Sequence, residues 1–66
     1  MDDKEKLTHL VSHWREHNSE HAETYRKWAQ KMADAGEGEA ERILSEIAVK
    51  TEELNGYFLA LSGVLA

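Results

Sequence analysis

The chain has 66 residues, no cysteine, no proline, and 13 acidic against 8 basic side chains, a formal net charge of -5 with histidine neutral. No disulfide or thiolate metal site can form, and a core in this size range seldom supplies more than ~3–5 kcal/mol unaided; oligomerisation, an ion held by His and carboxylate, or unusually regular helix packing must add to it. The acidic balance argues against a phosphate-binding surface, so no nucleic-acid partner is expected.

In chain order, the first segment, Met1-Asp2-Asp3-Lys4-Glu5-Lys6, is charged where a secretory signal would turn apolar. No run approaches the ~18 apolar residues of a membrane span, so the expectation is a cytoplasmic protein with no membrane partner. Residues 1–66 are read as a single domain. Helix propensity is favourable along most of it, and Asp2, paired with Glu5 three residues later, or Asp3 can cap a first helix over about 3–35. At ~100° per residue, Leu7, Leu10, Val11, Trp14, His21, Tyr25, Trp28 and Met32 gather into one apolar stripe, the expected core face. The opposite side, with Glu16, Glu20, Glu23, Arg26, Lys27 and Lys31, reads as solvated, with Glu23 and Lys27 able to pair at i, i+4.

Gly36-Glu37-Gly38 is the one punctuation mark. Gly supplies the left-handed backbone that ends a helix, and Glu37, Glu39 and Glu41 complement the positive start of the next. The turn is placed at 36–38 and a second helix at about 38–65. Its stripe is Ala40, Ile43, Ile47, Thr51, Leu54, Phe58, Leu61 and Leu65. So short a connection makes the two helices antiparallel neighbours.

From Leu54 to Ala66 there is no charged residue. A helix that is apolar nearly all round is normally buried, and a two-helix monomer cannot bury it on every side. Opposite the main stripe lie Val49, Gly56, Ala60 and Gly63, small residues that would let another helix approach closely. The fold class expected is therefore all-α: an antiparallel helical hairpin that self-associates through these residues of helix 2 into a homodimer or higher homo-oligomer, most simply a four-helix bundle.

The constellation with chemical potential is His9, His13, His17 and His21, four imidazoles at strict four-residue spacing. Each step climbs ~6 Å and rotates ~40°, so neighbours stand on adjoining turns of one face. An i, i+4 pair can chelate one borderline ion such as Zn, Ni or Co. All four cannot, because the ladder climbs ~18 Å against metal–ligand bonds of ~2 Å. A site needs two His from one chain plus carboxylates or a pair from a partner chain. His13, His17 and His21 with Glu16 and Glu20 are the candidate ligands. The competing reading makes His17 and His21 a buried polar layer with Asn18, Thr51 and Asn55, which fixes register at some cost in stability. Neutral His in a core would also open it on protonation. Trp14, Trp28 and Tyr25 read as core aromatics.

No nucleophilic elbow, Gly-rich phosphate loop or substrate-sized hollow can be assigned, so no enzymatic activity is expected. The stretch His13-Trp14-Arg15-Glu16-His17-Asn18-Ser19-Glu20-His21-Ala22, followed by Tyr25-Arg26-Lys27-Trp28-Ala29, resembles small uncharacterised prokaryotic helical-hairpin domains that carry H-W-x-E-H-N-x-x-H-A. Some of these accompany nickel- or cobalt-handling proteins, and the resemblance implies His13, His17 and His21 rather than His9 as ligands. The expected function is a non-catalytic binding or interaction module with a His-rich transition-metal site on helix 1. The alternative is a structural oligomerisation protein with a His/Asn layer and no ligand.

Overall fold

The structure, a computed structural model, describes residues 2–66 as two α-helices, α1 (Asp3–Asp34) and α2 (Gly38–Leu65), with no strand among the described residues. They fold back on each other as an antiparallel hairpin 51 Å long, 16 Å wide and 11 Å thick. At its start, the Asp2 carboxylate accepts a hydrogen bond from the Glu5 backbone N–H at 2.8 Å, satisfying one of the free donors of the first turn.

At the far end of α1, Gly36 adopts φ +78°. The Gly36 N–H donates to the Ala33 carbonyl at 3.1 Å and the Glu37 N–H to the Met32 carbonyl at 2.8 Å. This is the paired 6→1 and 5→2 closure of a Schellman motif. Gly36 is the residue the left-handed position requires. Gly38 already belongs to α2, so the connection is Ala35-Gly36-Glu37, one residue earlier than the glycine spacing suggests.

The two helices do not meet along the stripes of largest side chains. On α1 the contact runs through Val11, Arg15, Asn18, Ala22, Tyr25, Ala29 and Met32; on α2 it runs through Glu41, Leu44, Ala48, Thr51, Asn55, Phe58, Ser62 and Leu65. All of these are buried or half-buried. Both series alternate steps of three and four, the 3.5-residue period that keeps a seam facing its partner along two long helices. Val11, Ala22, Ala29 and Ala48 are the buried hydrophobic residues, so the seam is narrow and made largely of small side chains.

The expected core stripe is thus corrected. Leu10, Trp14 and Trp28 on α1 and Ile43, Ile47 and Leu54 on α2 are exposed, with Trp28 at 48%. His21 is exposed too. Each of these residues stands one position before a seam residue, about 100° around its helix. In an antiparallel pair the same offset falls on the same broad side, so they form a single apolar face beside the seam. Residues one position after the seam occupy the opposite broad side, where Arg26 donates a hydrogen bond to the Glu52 carboxylate across the hairpin.

Candidate functional site

The competing sequence reading places a polar layer at mid-length, and the structure builds one from its Asn18, Thr51 and Asn55, with Arg15 and Ser19 in place of His17 and His21. The Asn18 amide nitrogen donates to the Thr51 carbonyl at 2.6 Å and to the Asn55 side-chain oxygen at 3.0 Å. The Asn55 amide nitrogen in turn donates to the Ser19 hydroxyl at 2.7 Å and to the Arg15 carbonyl at 3.3 Å. Thr51 serves through its backbone, because its hydroxyl already donates to the Ile47 carbonyl one turn back. No buried side-chain polar atom lacks a partner among the described residues. A layer so satisfied fixes one register, since a shift by a turn would strand both amides in the seam.

His17 and His21 are outside this layer. Both are exposed, each one position before a seam residue, Asn18 and Ala22, and hence on the apolar face between Leu10 and Trp14 on one side and Trp28 on the other. The His21 ring stacks against Tyr25 with centroids 6.2 Å apart. His13 lies further round, on the shoulder of the face, and its ring stands 4.3 Å from that of His17. His9 points away with the solvated side. Glu16 and Glu20, also exposed, stand three residues after His13 and His17, turned further from the seam than His17 and His21.

The five candidate ligands therefore do not close on one point. Among the described residues no three His, Asp or Glu side chains gather into a group able to hold a metal ion. What one chain offers is i, i+4 imidazole pairs, half of a coordination sphere.

The rest of the apolar face carries large exposed side chains from both helices. The Trp14 indole meets the Phe58 ring at 6.0 Å in a tilted arrangement, which roofs the seam near the open end of the hairpin. Ile43, Ile47, Thr51 and Leu54 line a shallow groove that continues the face along α2. Trp28 is covered on one side by the Lys31 ammonium, 4.3 Å from its ring centre. Lys50 is the one charged side chain standing one position before the seam between Ile47 and Leu54.

Val49, Gly56, Ala60 and Gly63 are all exposed, on the other broad side and outer edge of α2. A methyl group added at Gly56 or Gly63 would meet nothing within 4 Å. Within the hairpin these glycines answer no steric demand. Opposite them α1 presents Ser12, Glu16 and Ser19, so that side is apolar on one helix only.

Among the described residues no helix is long and apolar enough to cross a membrane. An antiparallel two-helix hairpin with a polar mid-layer and an uncovered apolar face defines a small helical module. The chain belongs to a family described as a domain of unknown function (DUF8180), whose model matches residues 7–63 and so spans both helices and the turn. No curated protein and no solved structure matches it.

Proposed function

We propose that the chain is a non-catalytic cytoplasmic interaction module that pairs with a second copy through its apolar face, giving a four-helix bundle that carries the His-bearing turns of α1 inside it. The observation that carries this reading is a surplus of surface. The hairpin exposes 4951 Å², whereas a monomeric globular protein of 7.5 kDa exposes about 4,250 Å². The excess of roughly 700 Å² per chain is close to the ~800 Å² each partner contributes to a standard interface. Leu10, Trp14, Trp28, Ile43, Ile47 and Leu54 supply its apolar part from both helices, and this makes the face a better interface than the small-residue side around Gly56 and Gly63.

Sedimentation equilibrium on the full chain tests it. The expected species is a dimer at micromolar concentration, converted to a helical monomer by Ile47→Glu. A wild-type chain that stays monomeric at every concentration overturns self-association and leaves the face to a different protein. A dimer that survives Ile47→Glu and Leu54→Glu but not Gly56→Leu moves the interface to the small-residue side.

The satisfied Asn18–Asn55 layer favours a second reading, a purely structural oligomer without ligand, because register is already fixed with no contribution from His. Metal titration of the dimer separates the two.

A further inference from the structure

The His-bearing turns lie at the middle of the molecule. Asn18 bonds to Thr51 and Asn55, and these positions are close to the midpoints of Asp3–Asp34 and Gly38–Leu65. Closed dimers are overwhelmingly two-fold, and a two-fold axis that gives full overlap of two hairpins laid face to face passes through mid-length. Two such axes lie in the plane of the face. The one crossing the hairpin stacks α1 antiparallel on its own copy, sets Leu10 against Trp28 of the second copy, and brings His17 of each chain against His21 of the other. The one running along the hairpin instead sets His21 against the Lys50 ammonium of the second copy. Lys50 lies within the covered face in both arrangements, and a bound ion selects between them, because only the crossing one gathers four imidazoles and binding favours the arrangement that binds.

We infer that His17 and His21 of two copies form one four-imidazole site for a divalent transition-metal ion at the centre of the dimer, an inference that rests on the self-association proposed above. Each chain supplies an i, i+4 pair, the spacing at which the His13 and His17 rings already stand 4.3 Å apart. Two pairs arriving from antiparallel helices approach one point from opposite sides, which suits the tetrahedral coordination preferred by Zn²⁺ and accessible to Co²⁺. Glu16 and Glu20, turned further from the face than His17 and His21, are not ligands in this arrangement, and His9 is too far along the helix. Four imidazoles fill a tetrahedral sphere, so the ion acts as a clamp between the chains rather than as a catalytic centre with an open position.

Native mass spectrometry of the full chain at pH 7, titrated with ZnCl₂, NiCl₂ and CoCl₂, reads chain number and bound ions together. The expected result is one ion per dimer, with the intense visible absorption of tetrahedral Co²⁺ on the cobalt-loaded sample. His17→Ala and His21→Ala each abolish this uptake, while His9→Ala leaves it intact. Both rings are exposed in the hairpin, so circular dichroism should show unchanged helicity in the two variants, and His17→Gln and His21→Gln provide a second pair that keeps the side-chain bulk. A dimer that takes up no ion, or uptake insensitive to His21→Ala, overturns the four-imidazole site and leaves self-association standing. One ion per chain, or an ion held by the monomer, overturns the shared site. A metal-free monomer overturns both.

Discussion

Gly36 and Gly38 are two residues apart, yet they answer to different physics. Gly36 holds φ +78°, where a Cβ is strained whatever the space around it, so Gly36→Ala should cost about 1 kcal/mol. Gly38 has ordinary helical backbone and open space at its Cβ, so Gly38→Ala should be neutral or stabilise by up to ~1 kcal/mol through the unfolded chain. Urea unfolding of the two variants side by side checks the pair, and equal effects would mean the turn is not closed as described. Asn18 and Asn55 form the other residue-scale test. Truncating either to Ala leaves a partner short of a hydrogen bond in the half-buried seam, at about 1–3 kcal/mol each. The double variant should cost less than the sum, with a coupling of ~0.5–3 kcal/mol in a double-mutant cycle. Additive losses would show that the two amides do not act together. His17 and Asn18 are neighbours in sequence and stand about 100° apart around the helix, and that one step decides between face and seam.

Among elements, the termini and turn of each helix could be read from local chemistry, whereas the contact stripe could not. Capping by Asp2 and the left-handed Gly36 depend only on residues a few positions apart. The apolar arc of α1 is wider than one neighbouring helix can cover, running from Leu10 and Trp28 through Trp14 and Leu7 to Val11 and Ala22. Weighting that arc by side-chain size points to its Trp-bearing edge. The partner helix settled on the other edge, where Ala22, Ala29 and Ala48 allow close approach and the 3.5-residue series on both helices stay in phase. Substitutions that distinguish the two edges follow. Ala22→Leu forces bulk into the seam and should destabilise the hairpin by about 1–3 kcal/mol. His21→Ala, one position away and exposed, should leave the stability of the dilute monomer within ~0.5 kcal/mol of wild type. Thermal unfolding monitored by circular dichroism at low concentration measures both, at ~4–8 °C per kcal/mol for a domain of this size. A large loss from His21→Ala in the monomer would return the histidine to the core.

For the whole molecule, the deciding quantity is the area left over once the two helices have met. A hairpin whose buried hydrophobic residues are one valine and three alanines holds little of its apolar content away from water, and Leu10, Trp14, Trp28, Ile43, Ile47 and Leu54 remain to be covered. If the second copy covers them, the midpoint of thermal unfolding must rise with chain concentration, because association binds the folded state only. Leu54→Glu should remove that dependence and lower the midpoint at high concentration while changing little at the lowest concentration. A midpoint independent of concentration in the wild type would mean that the hairpin is stable by itself and that the face serves some other partner.

The sequence by itself determined the elements that rest on short-range chemistry: two helices, the glycine that ends the first, a cap at Asp2 or Asp3 of which the structure uses Asp2, and the i, i+4 pairing of Glu23 with Lys27, seen at 3.6 Å. It also showed that the apolar surface exceeds what two helices can hide, since that is a count of side chains. Only the tertiary structure decided which side of each helix is consumed by the hairpin, that Asn18 and Asn55 rather than His17 and His21 occupy the polar layer, and that the candidate metal ligands do not converge within one chain. The physical reason is that an adjacent helix covers only part of the circumference of its neighbour. Where it settles is fixed by close approach of small residues and by satisfied amides across the pair, quantities that exist only once both helices are in place.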